Sequence, residues 1–264
     1  IFIDDGSLDN TLEILKDKQK QNSKINIISF SRNFGKEAGI YAGLSNVTGD
    51  LALVIDADLQ NDPKIILEML EYIEEGYDTV TTIRNRKHEP KIKSFLATIF
   101  YRLMKGANSG NIQEGSQDFR MMTRQVVEAI LELKEYNRFS KGIFSWVGFK
   151  TKYIEVENRK RAAGKTKWNF RGLIKYAIEG ITSFTVKPLR IATVSGVVIS
   201  VLSLILAIQI IMQTLIYGKD MPGYASTITS VLFIGGIQLV TIGILSEYVG
   251  KIYLEIKDRP KYIV

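Results

Sequence analysis

Carboxylate and amide side chains cluster in one short segment, Asp56-Ala57-Asp58-Leu59-Gln60. In an extended chain, residues at positions i, i+2 and i+4 point the same way, which predicts that Asp56, Asp58 and Gln60 face one point. Oxygen ligands of this kind suit Mg²⁺ or Mn²⁺, especially when diphosphate oxygens complete the coordination shell. Such a cation would neutralise charge on a leaving nucleoside diphosphate. An ordinary acidic turn is the alternative for this segment taken alone.

Two further groups of residues carry candidate chemistry. Asp4 and Asp5 follow the apolar run Ile1–Ile3, and a carboxylate at a strand end can accept hydrogen bonds from a base or ribose. A simple turn with a helix cap is the alternative there. Asp118 and Arg120 place a carboxylate and a guanidinium two residues apart and are the candidate catalytic residues. A structural ion pair is the default interpretation of that second pair.

Residues 159–168 form a basic loop whose candidate phosphate-binding side chains are Arg161, Lys165, Thr166 and Lys167. Arginine binds phosphate with a planar fork and lysine binds it as a point charge. A solvated run of charge is the alternative. Because the loop directly precedes a segment that we expect at the membrane surface, we favour a site for phosphate groups, including those of lipids.

The acidic clusters need a sheet to position them, and the apolar runs predict one. Strands are predicted at Ile1–Ile3, Ile25–Phe30, Leu51–Ile55, Thr79–Ile83, Phe119–Thr123 and Lys152–Val156. Helices are predicted at Thr11–Gln21, Lys36–Leu44, Pro63–Glu74, Lys91–Lys105 and Arg124–Leu133. Strands that alternate with helices indicate an α/β fold with a mostly parallel sheet, in which ligands bind beyond the carboxyl ends of the strands. Both acidic clusters follow such ends.

Two uncharged runs, Ile191–Tyr217 and Ala225–Ser246, are each long enough to cross a bilayer, which takes about 20 residues. Residues 169–190 have helical apolar spacing and predict an amphipathic helix in the membrane interface, with a core-packing helix as the alternative. Lysine and arginine flank both spans on the side away from the short loop, so the large domain and the tail should be cytoplasmic. The predicted domains are 1–168, 169–190 and 191–264.

Composition excludes several classes of function. The 264 residues contain no cysteine and one histidine, so disulfides and thiolate metal sites are excluded and a histidine-based zinc site is disfavoured. The formal net charge of +7 fits nucleic acid, an anionic membrane or phosphate-bearing substrates. Because two membrane-length runs are present, we expect the membrane and phosphate partners and no nucleic acid.

Five motifs occur in order along the chain and together resemble the family-2 glycosyltransferases. They are Asp4-Asp5-Gly6-Ser7, Arg32-Asn33-Phe34-Gly35-Lys36, Asp56-Ala57-Asp58-Leu59-Gln60, Asp118-Phe119-Arg120 and Arg161-Ala162-Ala163-Gly164-Lys165-Thr166-Lys167. Within that family they resemble the polyprenyl-phosphate glycosyltransferases, which include bactoprenol glucosyltransferases and dolichyl-phosphate mannose synthases. The two spans and the ending Lys257-Asp258-Arg259-Pro260-Lys261-Tyr262 narrow the resemblance to the bactoprenol branch.

The resemblance implies a GT-A, Rossmann-like catalytic domain followed by two C-terminal transmembrane helices. It implies an inverting transfer of a sugar, with glucose expected, from a UDP-sugar to undecaprenyl phosphate at the cytoplasmic face of the membrane. A divalent cation and a homo-oligomer, a tetramer by resemblance, are implied as well. The family's first strand and its nucleotide-binding turn are expected to be missing from this sequence.

The same resemblance suggests roles for residues. It implies nucleotide contacts at Asp5 and Asp56, metal ligation at Asp58 and Gln60, and a catalytic base at Asp118. Arg161 and Lys167 are implied near the phosphates. Because a phosphate monoester is already anionic near neutral pH, with a second pKa of about 6, the acceptor hardly needs a base. Asp118 as a group that orients Arg120 or the acceptor therefore stays open.

Three other functions are compatible with parts of the sequence. A processive polysaccharide synthase shares the expected fold, although the Gln-x-x-Arg-Trp motif typical of such enzymes is absent. A non-catalytic membrane protein that binds lipid or scaffolds an assembly would also carry apolar spans and a basic loop. A nucleotidyltransferase would use a similar acidic site but would release diphosphate.

Overall fold

The computed structural model describes residues 1–58, 60–84, 113–156, 178, 180–183, 185–217 and 223–264. They divide into two units, one formed by Ile1–Phe184 together with Leu254–Val264, and one formed by Thr185–Tyr253. The basic loop, the predicted helix Lys91–Lys105 and most of the predicted interfacial helix lie outside the described residues.

The first unit alternates strands and helices, as the sequence predicts. Its strands are β1 (Phe2–Asp4), β2 (Ile27–Ser29), β3 (Leu51–Val54), β4 (Thr79–Arg84), β5 (Ser116–Thr123) and β6 (Thr151–Val156). Its helices are α1 (Thr11–Gln21), α2 (Lys36–Asn46), α3 (Ile65–Glu74), α4 (Arg124–Glu132) and α5 (Ser140–Trp146). Helix α5 is the one element of this series that the sequence analysis did not predict.

The strands form two sheets in the described part of the chain. Strands β1 and β2 are a parallel pair, and the larger sheet has the order β3-β5-β4-β6. Strand β5 runs antiparallel to both β3 and β4, whereas β4 and β6 are parallel. The α/β class is confirmed, but the sheet is mixed rather than mostly parallel. The apolar pattern of β5 marks it as a strand without encoding its direction.

Apolar side chains cover both faces of the larger sheet, because successive residues of a strand point to opposite sides. On one face, buried residues of α4 and α5 form a cluster with residues of α2, β3 and β5. Its buried members are Leu44, Ala52, Met122, Val126, Val127, Ile130, Ile143 and Phe144. On the other face, Met69 of α3 packs with the strand residues Val80, Phe119, Met121 and Ile154. The β5 residues Asp118 and Arg120 alternate with Phe119 and Met121, so they share the α5 side of the sheet.

The second unit consists of two long helices, α6 (Lys187–Tyr217) and α7 (Tyr224–Ile256), both long and apolar enough to cross a membrane. The hydroxyl of Tyr248 donates to the carbonyl oxygen of Thr185 at 2.6 Å, which ties the start of α6 to α7. Helix α6 begins before the predicted span, because the Thr185 hydroxyl accepts the Lys187 amide at 3.1 Å and Pro188 fits a first turn.

Candidate active site

Lys36, the first residue of α2, joins two carboxylates that come from different strands. Its ammonium nitrogen lies 2.9 Å from Oδ2 of Asp56 and 2.6 Å from Oδ2 of Asp118. Asp56 follows β3 and Asp118 lies on β5, which is the neighbour of β3 in the sheet. The structure therefore brings two of the predicted site residues together at one edge. The sequence analysis gave Lys36 no role, because nothing in its local pattern shows which carboxylates it meets.

Charges around this bridge keep Lys36 and Asp118 ionised at neutral pH. Burial alone would raise the pKa of Asp118, but the nearby charges of Lys141, Lys36 and Arg120 outweigh it and hold that pKa below its ordinary value. Burial likewise opposes the charge of Lys36, yet Asp118 and Asp56 raise its pKa. Asp118 is consequently a weak proton acceptor near neutral pH.

Asp4 fixes the end of β1. It is buried, its Oδ2 accepts a hydrogen bond from the Ser29 hydroxyl at 2.8 Å, and its Oδ1 accepts the Ser7 amide at 3.2 Å. Burial would raise its pKa, but the hydrogen bonds from Ser7 and Ser29 lower the pKa overall. The structure thus gives Asp4 a positioning task in the turn. A contact of Asp4 with a nucleotide stays a prediction.

Asp5 holds the loop that leads into α2. One of its oxygens accepts the amides of Phe34 at 2.6 Å and Gly35 at 3.2 Å, and the other accepts Gly35 at 3.0 Å. Lys36 comes next along the chain, so Asp5 sets where its side chain begins. Because a carboxylate offers about four lone-pair sites, these bonds leave Asp5 able to accept a donor from a ligand.

Gly6 allows the turn after β1 to press against the same loop. Its φ angle is +64°, and a Cβ placed there would lie 2.5 Å from the carbonyl carbon of Arg32 and 2.8 Å from the amide nitrogen of Asn33. A side chain cannot occupy that space without moving backbone. The residues Ser31–Gly35, which we call the donor loop because the amides of Phe34 and Gly35 donate to Asp5, are therefore supported by Asp5 and Gly6 together.

The segment after β3 is not extended as the sequence analysis assumed. Strand β3 ends at Val54, Ala57 and Asp58 lie in a turn, and Oδ1 of Asp58 accepts the Gln60 amide at 3.2 Å. The alternation argument for Asp56, Asp58 and Gln60 is therefore wrong in its geometry. An aspartate side chain commonly closes such a turn by accepting a hydrogen bond from the backbone amide two residues further along the chain.

Hard oxygen ligands for a divalent cation are present, but they do not form a complete cage. No group of three or more histidine, cysteine, aspartate or glutamate residues that could hold a metal occurs among the described residues. Carboxylates of Asp56 and Asp58 follow the same strand, and Mg²⁺ is commonly held by one or two carboxylates plus substrate phosphates. The residues thus fit a cation that arrives with, or is completed by, a diphosphate.

Arg120 is buried in the fold rather than exposed at the surface. Its side chain is 4% exposed, its guanidinium carbon lies 3.9 Å from the ring centroid of Phe144, and Nη2 lies 3.5 Å from the Ser116 hydroxyl oxygen. Burial lowers its pKa to about 10, against the attraction of Asp118. This location favours a group that orients Asp118 over one that touches a substrate.

Glu37 is a half-buried acid next to the bridge that sequence reasoning missed. It accepts the Ser140 amide at 2.8 Å and also the Ser140 hydroxyl, so it links α2 to the start of α5. Burial raises its pKa above the ordinary value, and the charge of Asp118 adds to that rise. Helix α5 also carries Lys141, whose charge acts on Asp118. The four basic-loop residues Arg161, Lys165, Thr166 and Lys167 lie outside the described residues.

Comparison with known proteins places this chain in a family. Residues 1–131 match "Glycosyl transferase family 2", and residues 187–252 match "GtrB C-terminal hairpin". The whole chain is 44% identical over 263 residues to "Putative glycosyltransferase CsbB" of Bacillus subtilis (strain 168), covering 80% of that protein. The chain belongs to glycosyl transferase family 2. The family-2 assignment confirms that it is a glycosyltransferase, with the GT-A type of fold that the resemblance implied.

Other relatives of this family-2 glycosyltransferase are similar along the whole chain. It is 42% identical over 265 residues to "SfII prophage-derived bactoprenol glucosyl transferase" of Shigella flexneri, covering 100% of this chain and 86% of that one. Among solved structures, glucosyl-3-phosphoglycerate synthase of Mycobacterium tuberculosis, in complex with Mn²⁺, UDP-glucose and phosphoglyceric acid, is 16% identical. That alignment covers 68% of this chain and 65% of the synthase, with a TM-score of 0.42.

Proposed function

We propose that this family-2 glycosyltransferase transfers a glucosyl group from UDP-glucose to undecaprenyl phosphate, with inversion, at the cytoplasmic face of the membrane. The observation that carries the proposal is similarity over the full chain to relatives named bactoprenol glucosyl transferase, which extends through both apolar helices. The bridge of Asp56, Lys36 and Asp118 at the sheet edge supplies a charged site of the kind that such a transfer needs.

The proposed reaction is a single displacement. A phosphate oxygen of the acceptor attacks the anomeric carbon, the bond from that carbon to the UDP oxygen breaks, and UDP leaves with the electron pair. Such a step depends mainly on positioning and on stabilising the charge of the leaving group. The acceptor is already anionic, so no proton has to be removed. In this scheme Asp118 holds Lys36 in place instead of acting as a base.

We assign the donor end of the site to residues near the strand ends. Asp5 and Asp56 would contact the nucleotide, as the resemblance implies, and Asp4 would hold the turn that carries Asp5. Asp58 and Gln60 would hold Mg²⁺ or Mn²⁺ together with the donor's diphosphate. The cation supplies neutralisation of charge on the departing UDP. Lys36 adds a fixed positive charge between Asp56 and Asp118, close to where that negative charge develops.

We assign the acceptor end to the basic loop. Arg161, Lys165, Thr166 and Lys167 offer charges and a hydroxyl suited to a lipid phosphate. A test is the variant Lys167→Met measured at several undecaprenyl phosphate concentrations. We expect a higher KM for the lipid and an unchanged KM for UDP-glucose, whereas a change confined to the donor KM would refute the assignment.

The membrane arrangement we propose has two crossings. Residues on both sides of the helix pair belong to the first unit, which supports placing the catalytic domain and the tail on the same side. The positive residues that flank the spans favour the cytoplasm for that side. Self-association, expected from the resemblance, is also part of the proposal, and light scattering of the detergent-solubilised protein tests it.

The decisive experiment is a transfer assay. Membranes that contain the protein are incubated with radiolabelled UDP-glucose and undecaprenyl phosphate, and label is sought in the extracted lipid. We expect one sugar per lipid, loss of transfer when divalent cations are chelated, and loss in Asp58→Asn. Asp17→Asn is the matched control, because Asp17 is an exposed carboxylate on α1 that pairs with the surface residue Lys20.

The same assay separates the alternatives. Polymeric product indicates a processive synthase, and release of diphosphate instead of UDP indicates a nucleotidyltransferase. Absence of any labelled product with every sugar nucleotide of a panel indicates a binding or scaffold protein. Label transferred from a different sugar nucleotide would retain the lipid acceptor but correct the identity of the donor.

A further inference from the structure

The C-terminal motif that follows the membrane helices has a structural task of its own. Helix α7 ends at Ile256, and Asp258 adopts a φ angle of 43°, a left-handed conformation that reverses the chain after a helix. Pro260 follows and prevents the helix from continuing. The remaining residues, Lys261–Val264, then lie against the catalytic unit, to which they belong structurally.

Hydrogen bonds and a cation–π contact attach the end of α7 and the tail to the rest of the catalytic unit. Glu255 accepts the Tyr136 amide at 3.1 and 3.0 Å through its two carboxylate oxygens. The ammonium of Lys261 donates to the carbonyl oxygen of Lys134 at 3.0 Å and lies 4.5 Å from the ring centroid of Tyr41. Glu255 and Lys261 therefore make specific contacts with residues Tyr41, Lys134 and Tyr136 of the catalytic unit.

The last contacts of the tail reach the donor loop. The ring of Tyr262 stacks on Phe30 at 4.9 Å between centroids, with an interplanar angle of 23°. The next carbonyl, of Ile263, accepts the amide of Ser31 at 2.9 Å. Phe30 in turn meets Phe34 edge to face at 5.8 Å. The tail thus supports the beginning of the donor loop, whereas Asp5 and Gly6 support its middle and end.

We infer that Tyr262, together with the Ile263 carbonyl, is a positioning residue for the donor loop. The tail holds Phe30 and Ser31, which sets the path of the loop to the Phe34 and Gly35 amides that Asp5 binds and to Lys36. The expectation that this affects donor binding rests on the proposed function of Asp5 and Lys36. The effect on the loop itself does not.

The inference predicts a split between kinetic parameters. Removing the ring with Tyr262→Ala should loosen the donor loop and raise the KM for UDP-glucose about tenfold, with kcat changed less than about threefold, since misplaced binding groups weaken ground-state and transition-state contacts together. Tyr262→Phe keeps the stacked ring and should restore the normal KM. Val264→Ala is the matched control, because that side chain lies in the same tail, is 75% exposed and has no part in the contacts with Phe30 and Ser31.

Amide hydrogen exchange of the full chain tests the loop independently of activity. We expect faster exchange at Ser31, Phe34 and Gly35 in Tyr262→Ala, with unchanged exchange at Val80 and Met121 in the core. A uniform rise at all these sites, or no rise at the loop, would overturn the inference. If Tyr262→Ala does not fold, Tyr262→Leu is measured instead against the same criteria. If neither the wild type nor any variant transfers sugar, and loop exchange still changes as expected, the proposed function fails and the inference stands.

Discussion

The ammonium nitrogen of Lys36 lies 2.6 Å from Oδ2 of Asp118, the carboxylate that the family resemblance presents as a catalytic base. A carboxylate so paired, with the charges of Lys141 and Arg120 also acting on it, has a lowered pKa. Its low basicity fits an acceptor that brings its own negative charge. The pair explains how a carboxylate can contribute to this site without accepting a proton.

Asp118→Asn should therefore reduce activity by less than a lost general base would. We expect kcat/KM to fall about tenfold, whereas loss of a base costs about 10²–10⁴-fold. Because the folded pKa of Asp118 is lowered, its ionised form and the stability it adds are lost only as pH falls through values below the ordinary 3.8. The measurement is kcat/KM from about pH 5 to pH 8, and we expect the wild type and Asp118→Asn to show the same dependence on pH. A loss above about 10²-fold, with a changed acidic limb, would support the base.

Lys36→Met should be more damaging than Asp118→Asn. Methionine keeps the apolar stem but removes the charge that separates Asp56 from Asp118, so kcat/KM should fall about 10²–10³-fold, as when one electrostatic contact to the transition state is deleted. Lys36→Arg should recover part of the activity, because it restores the charge with a different geometry.

Lys20→Met provides the matched control for that substitution. Lys20 pairs with Asp17 at 2.8 Å on the exposed surface of α1, where ion pairs contribute little. Its kcat/KM and unfolding temperature should stay at the wild-type values. Equal losses in Lys20→Met and Lys36→Met would show that net charge, rather than the bridge, matters.

Gly6→Ala should destabilise the catalytic unit and impair the donor loop. The new Cβ would meet the Arg32 carbonyl carbon at 2.5 Å in addition to straining a φ angle of +64°, which together cost about 2–5 kcal/mol in the free energy of unfolding. Gly76→Ala separates the two causes, since its φ angle is +86° but no atom lies within 4 Å of the added Cβ. We expect a cost of only about 1–2 kcal/mol there. Chemical denaturation checks both values.

Glu37→Gln should change how stability depends on pH. The folded pKa of Glu37 is raised by burial, so the unfolding free energy falls as pH rises from the ordinary value of 4.5 through the raised folded value. Glutamine can still accept from Ser140 and carries no charge. The variant should lose this pH dependence and match or exceed the wild type near neutral pH. Thermal unfolding in detergent at several pH values tests this, and a variant less stable at every pH would contradict it.

Local sequence patterns predicted most elements of the first unit but not how they meet. Helix α1 has the predicted bounds, and β3 and β6 each differ from the prediction by a single residue. Helix α5 was not predicted, because Ser140–Trp146 is short and contains a glycine. The direction of β5 depends on pairing with distant strands, which periodicity does not encode.

The candidate site was predicted by residue type better than by geometry. Asp5, Asp56 and Asp118 were singled out from their places at strand ends and from the family resemblance, and the structure gathers Asp56 and Asp118 around one ammonium group. Lys36 and Glu37 were missed because their partners are at least 20 residues away along the chain. The turn at Asp58 was misread as extended because a side chain to backbone hydrogen bond overrode simple alternation.

The two-part composition of the catalytic unit has a bearing on how the protein is made. Residues Leu254–Val264 belong to the same unit as Ile1–Phe184, yet the ribosome produces them after both apolar helices. Domains generally fold as they emerge, at about 5–20 residues per second of synthesis. The support that the tail gives to Phe30 and Ser31 is therefore absent until the ribosome has made both apolar helices. A nascent chain that still lacks the tail would carry a donor loop that is not yet secured.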